Sequence, residues 1–300
     1  MATIVDEPVC APLAPRRAVR GVGAAFGAPR NFLGNRFVYV VLSPRVRGLA
    51  VGVNLNPDRE CNFDCLYCEV DRRAAAPTAV LDVDVMADEL ARTLALVRSG
   101  ELSGVPAFRG VPEDLLRLQQ VNLSGDGEPT LAPAFLDAVH AVLHVRARCS
   151  PPFFKLALIT NATGLAQPSV AEGIRCFTSH DEVWAKLDGG TQAYIDRVNR
   201  AQVSLAEVMK NILALSQKRP VIIQSLFPLI NGVGPSEEEI REYAGRLKEL
   251  KAAGANIPLV QIYSATRPAP ASVCSHLPLR RLSQIAQVVR DTTGLRTEVF

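Results

Sequence analysis

The 300 residues suffice for one sizeable domain or two small ones, and a hydrophobic content of 48% supports a packed core. The net charge of +3 neither requires nor excludes nucleic acid as a partner. Seven cysteines, an odd number in a long chain, argue against a secreted disulfide framework. No apolar run reaches the ~18–20 residues of a membrane-spanning helix, and acidic Asp6 and Glu7 argue against a secretory signal. We therefore predict a cytoplasmic protein without a membrane partner.

The start of the chain is rich in proline and arginine, which predicts an irregular N-terminal arm over residues 1–36. Its arginines fit either a solvated basic tail or contacts to phosphate. One domain is expected over residues 37–300. It begins with two β-branched or apolar runs, 37–42 and 49–55, which we predict to be strands.

In the rest of the chain, segments with the apolar pattern of a helix alternate with β-branched or apolar runs typical of strands. Ser204 and Ser236 each precede a glutamate by three residues, so both are predicted to begin helices as capping boxes. Further helices are predicted over 84–99, 133–146, 168–174 and 279–290, and further strands over 120–123, 154–160, 182–187, 221–226, 258–263 and 295–300. About six β/α units follow, too few for an eight-fold barrel. The predicted fold is α/β, a partial (β/α)6 TIM-like barrel whose curved parallel sheet is covered by helices; a doubly wound open sheet is the alternative.

Three cysteines stand at the spacing C-x3-C-x2-C in the loop after the second strand: Cys61, Cys65 and Cys68. Three thiolates can hold an iron–sulfur cluster and leave one iron open for a ligand. The alternative is a structural zinc site, for which no fourth Cys or His follows at a typical short spacing.

This motif, with the aromatic Tyr67 before its last cysteine, resembles the signature of radical S-adenosylmethionine (SAM) enzymes. The resemblance implies that Cys61, Cys65 and Cys68 bind a [4Fe–4S] cluster whose fourth iron is chelated by SAM. It also implies cleavage of SAM to a 5′-deoxyadenosyl radical that abstracts hydrogen from a substrate, the same partial-barrel fold, and a position for Tyr67 near the adenine.

Residues that follow the other strands should meet the cysteines, because active sites of parallel β/α folds lie at the carboxyl ends of the strands. The stretch after the next strand resembles the GGEP motif that contacts the SAM amino group in these enzymes, with one extra residue. Either backbone carbonyls or Glu128 would make that contact, and an ordinary strand-to-helix turn is the alternative reading of this stretch. Its members are Ser124, Gly125, Asp126, Gly127, Glu128 and Pro129.

Four more strand-end residues are candidates. Asn161 is expected either to bond a ribose hydroxyl or carboxylate, or to cap its turn. Lys186 and Asp188 point to one side of their strand and favour a site for a zwitterion such as SAM, with a salt bridge at the barrel rim as the alternative. Arg267 is either an anion clamp or part of a surface ion pair.

The remaining cysteines are sorted by the same strand-end rule. Cys274 follows the sixth strand of the barrel and is either a substrate-facing thiol or hydrogen donor, or an inert half-buried residue. Cys149 and Cys176 precede strands and belong on the opposite face, and Cys10 has no predicted place.

The segments 43–48 and 52–54, with the motifs above, resemble the subgroup of wyosine-base synthases and related Fe–S oxidoreductases, although only Cys10 lies upstream to help build their second cluster. Three functions remain open: a radical SAM enzyme acting on a small molecule or nucleobase, an activating enzyme that installs a glycyl radical in a partner protein, and a non-catalytic Fe–S or zinc module. Expected partners are SAM, an unidentified substrate and an electron donor such as flavodoxin or ferredoxin; nucleic acid is not indicated.

Overall fold

A curled, mostly parallel sheet forms the frame of the molecule. The computed structural model describes residues 32–72, 76, 80–148, 153–267, 269 and 273–300. Within this part of the chain, the strands of the sheet are β1 Val38–Ser43, β2 Gly48–Asn54, β3 Leu118–Ser124, β4 Lys155–Thr160, β5 Glu182–Lys186, β6 Ile222–Leu226, β8 Val260–Tyr263 and β10 Thr297–Val299. These eight strands lie side by side in chain order, and β7 Pro228–Ile230 and β9 Cys274–His276 form a separate ribbon. β1 is antiparallel to β2, and all the other neighbours are parallel.

Helices follow the parallel strands and cover the outer face of the sheet. In the described chain they are α1 Val83–Ser99, α2 Phe135–Arg148, α3 Pro168–Arg175, α4 Gln192–Val198, α5 Leu205–Ser216, α6 Glu237–Ala252 and α7 Leu279–Thr293. The predicted six β/α units and the α/β partial barrel are confirmed. The alternative of a doubly wound sheet is wrong, because that fold reverses its strand order at a switch point, whereas these strands follow chain order throughout.

The helix ends follow from local chemistry. α1 begins after Asp82, whose carboxylate accepts the amide of Val85 at 3.1 Å, and it ends at Gly100 with a left-handed φ of 79°. Both predicted serine caps are present: Ser204 and Ser236 each accept the amide of the residue three positions later. These caps fix where α5 and α6 start.

The sequence patterns did not predict one short helix, α4, or a two-stranded ribbon. α4 has only seven residues, too few for a clear apolar stripe, and it begins after Thr191, which accepts the amide of Tyr194. A separate two-stranded ribbon pairs β7, Pro228–Ile230, with β9, Cys274–His276. Both strands have three residues, which is too short for a period of two to be recognised.

The concave face of the sheet is unusually polar for a barrel interior. Closed barrels fill this space with layers of branched apolar side chains. Here Gln120 donates to Asn122 at 2.6 Å, and Gln224 donates to Gln261 at 2.8 Å, with all four side chains buried. The apolar core lies instead between the sheet and its helices, which leaves the concave side free for polar chemistry.

The described end of the predicted arm belongs to the folded body. Phe32 is buried, and its ring meets that of Phe108 edge-on at 6.3 Å. The amides of Arg36 and Phe37 donate to the carboxylate of buried Glu89. The predictions for residues 1–31, Cys10 and Cys149 lie outside the described residues. No helix of the described chain is both long and apolar enough to cross a membrane.

Candidate active site at the carboxyl ends of the strands

The cysteine loop leaves β2 at the carboxyl edge of the sheet and is fastened to the end of α4. The amide of Asp64 donates to the carbonyl of Asn199 at 3.0 Å, and the amide of Leu66 donates to the carbonyl of Val198 at 2.9 Å. Phe63 and Leu66 are buried beneath the loop. The loop is therefore held by backbone pairing that does not depend on the thiols themselves.

All three thiols of the loop are free and partly buried. Each sulfur has a nitrogen donor nearby: the amide of Phe63 lies 3.4 Å from Cys61, Nδ2 of Asn199 lies 3.4 Å from Cys65, and Nη1 of Arg72 lies 3.6 Å from Cys68. Burial raises the pKa of Cys61 to about 11 and that of Cys65 to about 12. Thiolates at this site therefore need a bound cation to offset their desolvation.

Each of the three thiols has an N–H donor beside its sulfur, and this set of residues fits the ligands of an Fe–S cluster. Among the described residues, no three His, Cys, Asp or Glu side chains are grouped to hold one metal ion. The ligands of a [4Fe–4S] cluster bind different irons, so they need not converge on one point. Three thiols with N–H donors around their sulfurs are typical of Fe–S sites, where such hydrogen bonds tune the reduction potential.

A buried ion pair lies beside the cysteine loop. Nζ of Lys186 is 3.0 Å from Oδ1 of Asp188 and donates to the hydroxyl of Tyr263 at 3.0 Å. It also lies 5.0 Å from the ring centroids of both Tyr67 and Tyr263. Burial alone would lower the pKa of Lys186, but Asp188 and Tyr263 outweigh burial and raise that pKa above its ordinary value. The lysine is therefore a fixed cation.

Asp188 connects this pair to the cysteines. Its Oδ1 also accepts the amide of Leu226 at 2.8 Å, and its Oδ2 accepts the hydroxyl of Tyr67 and, at 2.8 Å, Nδ2 of Asn199. Burial and the charge of Asp188 raise the pKa of Tyr67 well above its ordinary value. The salt bridge expected as the alternative for Lys186 and Asp188 is thus present, at the base of the cysteine loop and not in solvent.

The glycine-rich loop after β3 lies directly against the cysteine loop. The amide of Glu128 donates to the carbonyl of Glu60 at 2.9 Å. A Cβ on Gly127 would stand 1.7 Å from that carbonyl oxygen, so only glycine permits this approach. A Cβ on Gly125 would stand 2.6 Å from Oδ1 of Asn56, a buried acceptor that has no hydrogen-bond partner among the described residues.

The polar side chains of this loop are bound within the protein. Ser124 and Tyr39 share a hydrogen bond of 2.8 Å between their hydroxyls. The carboxylate of Asp126 accepts Nδ2 of Asn54 at 2.9 Å, and the backbone amide of Asp126 donates to Oδ1 of the same asparagine side chain at 3.0 Å. The loop is therefore tied to β1 and β2.

Glu128 has a role that its motif did not predict. Its buried carboxylate accepts from Thr130 through both the amide and the hydroxyl, from the Thr160 hydroxyl and from the Asn161 amide. Burial raises its pKa although these donors oppose the shift. The Glu128 carboxylate, one of the two groups expected to contact SAM, is therefore engaged within the protein, where it joins the ends of β3 and β4.

Asn161 caps its turn, which is one of the two roles expected for it from the sequence. Its Oδ1 accepts the amide and hydroxyl of Thr163 at 3.0 and 2.7 Å. Its Nδ2 donates to Oδ1 of Asn62, in the cysteine loop, at 2.8 Å. Asn161 therefore fastens the end of β4 to the cysteines, and a direct contact from its side chain to a ligand would have to replace one of these bonds.

The outlying candidates fall at different ends of the molecule. Arg267 donates to Glu69 at 2.8 Å. It therefore forms the surface ion pair that the sequence left open as the alternative to an anion clamp. Cys274 is half-buried in β9, where burial raises its pKa and the charge of Arg200 opposes that shift. Cys176 is exposed after α3, 3.8 Å from Nε2 of His140 and at the opposite end of the strands, as expected.

Asn199 and Arg72 contact cysteine sulfurs, and neither was among the predicted residues. Asn199 follows α4, the helix that the sequence did not indicate, and it lies 134 positions after Cys65. Arg72 lies four positions after Cys68, so a search for donors within one turn of the motif could have found it.

No family model matches the chain. Two curated proteins of Helicobacter pylori, both named "UPF0026 protein", are similar to it. The protein of strain J99 is 24% identical over 267 residues, which covers 83% of this chain and 78% of the relative. That of strain 26695 is 25% identical over 233 residues, which covers 76% of this chain but only 65% of the relative.

Solved structures share the fold at low sequence identity. Streptococcus suis SuiB bound to S-adenosylmethionine matches 82% of this chain with a TM-score of 0.56 and 15% identity, and the chain spans 49% of SuiB. TYW1 with a lysine-pyruvate adduct matches 87% of this chain and 85% of its own, with a TM-score of 0.54 and 13% identity. The match to spore photoproduct lyase covers 80% of this chain and 74% of the lyase chain, with a TM-score of 0.51 and 8% identity.

These solved proteins are radical SAM enzymes, so the fold of this chain is the partial barrel of that class. With TYW1 the match extends over most of both chains. The resemblance read from the cysteine motif is therefore confirmed at the level of the fold.

Proposed function

We propose that this chain is a radical SAM enzyme in which Cys61, Cys65 and Cys68 hold a [4Fe–4S] cluster and the loop Ser124–Pro129 lies against SAM. One observation carries the proposal: in a sheet with the fold of radical SAM enzymes, the three-thiol loop and the glycine-rich loop are joined by the hydrogen bond from Glu128 to Glu60. Held by these three thiols, a [4Fe–4S] cluster would supply one electron for the cleavage of SAM to methionine and a 5′-deoxyadenosyl radical, and that radical would abstract hydrogen from the substrate.

The residues of the site support this assignment through their local roles. Asn199 and Arg72 donate to two of the three sulfurs, which stabilises negative charge there. Asn56 presents a buried oxygen without a partner among the described residues beside Gly125, and an ammonium group such as that of SAM is the kind of donor it lacks. Tyr67 and the Lys186–Asp188 pair line the base of the cysteine loop.

The substrate is proposed to be a small molecule or nucleobase. The concave face of the sheet offers buried amide side chains from Gln120, Asn122, Gln224 and Gln261, which can pair with polar edges of a planar molecule. An electron donor such as flavodoxin or ferredoxin would reduce the cluster.

Anaerobic reconstitution with iron and sulfide tests the cofactor assignment. The reduced protein should show the electron paramagnetic resonance signal of a [4Fe–4S] cluster, and SAM should change that signal because it binds the open iron. Cys65→Ala should abolish the signal, whereas Cys176→Ser, at an exposed position at the other end of the strands, should preserve it. Stoichiometric zinc without a cluster, or a signal that SAM leaves unchanged, would contradict the proposal.

A further inference from the structure

The half-barrel has a second opening, at the amino ends of its strands, opposite the cysteine loop. A cavity of about 220 Å³ lies there, lined by residues at or just before the amino ends of β2, β3, β4, β5, β6, β8 and β10. Four cations line it, Arg45, Arg47, Lys155 and Arg296, against two carboxylates, Glu182 and Glu298. Positive charge is therefore in excess at this mouth.

The carboxylates of Glu182 and Glu298 each form a salt bridge with a cation other than Arg45. Glu182 pairs with Lys155 at 2.7 Å and also accepts the indole N–H of Trp184 at 2.8 Å. Glu298 pairs with the exposed Arg47 at 3.6 Å and with Arg296. Within the described residues, no carboxylate forms a salt bridge with Arg45, so its charge has no counter-ion in this cavity.

Arg45 is also held in place. Its guanidinium carbon lies 4.4 Å from the ring centroid of Tyr263, whose ring centroid lies 5.0 Å from the ammonium of Lys186. Its Nε is buried and has no hydrogen-bond partner among the described residues. A stacked guanidinium with an unused buried donor is suited to an oxyanion, because its planar fork matches phosphate and carboxylate geometry.

We propose that this mouth is an oxyanion subsite, in which Arg45 binds the phosphate or carboxylate group of a small substrate. Trp184 and Gln261 line the cavity, and Lys186 and Tyr263 lie two residues further along the same strands, about 6–7 Å toward the cysteine loop. A molecule anchored at Arg45 therefore extends into the polar interior that leads to the proposed cluster. The claim that the anchored molecule is the substrate of radical chemistry rests on the proposed function. The claim that Arg45 binds an oxyanion is independent of it.

Trp184 provides the measurement, since it is the only tryptophan of the chain and lines this cavity. The full chain, without added iron or SAM, is titrated with inorganic phosphate and separately with acetate while its tryptophan fluorescence is recorded. Chloride at matched ionic strength corrects for screening. We expect a saturable change with at least one of the two oxyanions, and the stronger response identifies phosphate or carboxylate as the group recognised.

The variants Arg45→Gln and Arg47→Gln separate a built site from a basic surface. Arg45→Gln should weaken the apparent affinity about tenfold or more, the order expected for losing a charge-assisted hydrogen bond. Arg47→Gln, on the same loop but exposed and paired to Glu298, should change it by less than about twofold. No response to either oxyanion, or equal losses in the two variants, would overturn the subsite. Because no SAM chemistry is involved, failure of the proposed radical reaction would leave this result unaffected.

Discussion

Nδ2 of Asn199 lies 3.4 Å from Sγ of Cys65 and therefore couples the cysteine loop to the far end of α4. The same nitrogen lies 2.8 Å from Oδ2 of Asp188, so one amide group contacts both the thiol and the buried ion pair. Fe–S centres are tuned by hydrogen bonds to their sulfurs. Asn199 is thus placed to position Cys65 and to influence the cluster proposed there.

Replacing Asn199 by alanine should weaken the cluster without abolishing it. The variant loses the donor to Cys65 and one partner of Asp188, and a hydrogen bond to a charged group contributes about 1.5–3 kcal/mol. We expect iron to be lost to a chelator roughly tenfold faster and the reduction potential to fall, since fewer donors stabilise the reduced cluster. Arg200→Gln is the control because Arg200 pairs with the exposed Asp64 and lies next in sequence. Equal behaviour of the two variants would remove the assigned role of Asn199.

The Lys186–Asp188 pair should show the energetics of a buried ion pair. Lys186→Met leaves the carboxylate of Asp188 without its cation and is expected to lower the free energy of unfolding by about 3–5 kcal/mol. Adding Asp188→Asn should recover part of that loss because no buried charge remains uncompensated. Urea unfolding of both single variants and the double variant measures the coupling. Simple additivity of the two single effects would show that the two charges do not interact.

Gly127 should tolerate no side chain. A Cβ there would meet the Glu60 carbonyl at 1.7 Å, so Gly127→Ala must push the glycine-rich loop away from the cysteine loop. We expect a loss of about 2–3 kcal/mol in unfolding free energy and impaired cluster binding. Gly245→Ala, in α6 with nothing within 4 Å of the new Cβ, should instead stabilise by up to about 1 kcal/mol. If Gly127→Ala unfolds like the wild-type chain, the close approach of Gly127 to the Glu60 carbonyl is contradicted.

The buried pair of Arg146 and Asp181, at the opposite end of the strands, predicts a pH dependence of stability. Asp181 is 2.7 Å from Arg146 and accepts the amides of Leu156 and Thr178. Burial would raise the pKa of Asp181, but these donors lower it below its ordinary value. A depressed folded-state pKa gives stability that is present above the unfolded value of about 4 and is lost as pH falls through the folded value.

Wild-type protein should therefore lose more unfolding free energy than Asp181→Asn between about pH 5 and pH 2. The comparison is made by urea unfolding at each pH, with both proteins first shown to be folded near neutral pH. Parallel curves for the two proteins would show that Asp181 keeps an ordinary pKa.

Most of the fold could be predicted from the sequence because it follows from local signals. Ser204 and Ser236 begin helices through their own side chains, and the alternation of strands and helices gives a parallel sheet once chain order is followed. The cysteine spacing and the residues after β3, β4 and β5 also predicted which loops meet. What could not be predicted comes from contacts between distant segments, such as Asn199 with Cys65.

The same limit applies to side-chain roles. Glu128 and Asn161 were correctly expected at the carboxyl edge, but their sequence positions did not reveal that each is saturated by neighbours from other segments. The short α4 was missed, and with it the surface that holds the cysteine loop. Short elements of this kind are fixed by tertiary packing, which leaves little periodicity in the sequence.

The formation of 5′-deoxyadenosine tests the central claim most directly. Reconstituted, dithionite-reduced protein is incubated anaerobically with SAM, and the product is measured by mass spectrometry. The proposal predicts 5′-deoxyadenosine that disappears in each of the variants Cys61→Ala, Cys65→Ala and Cys68→Ala and persists in Cys176→Ser. No 5′-deoxyadenosine from a verified, reduced cluster, even after addition of cell extract to supply a substrate, would contradict it.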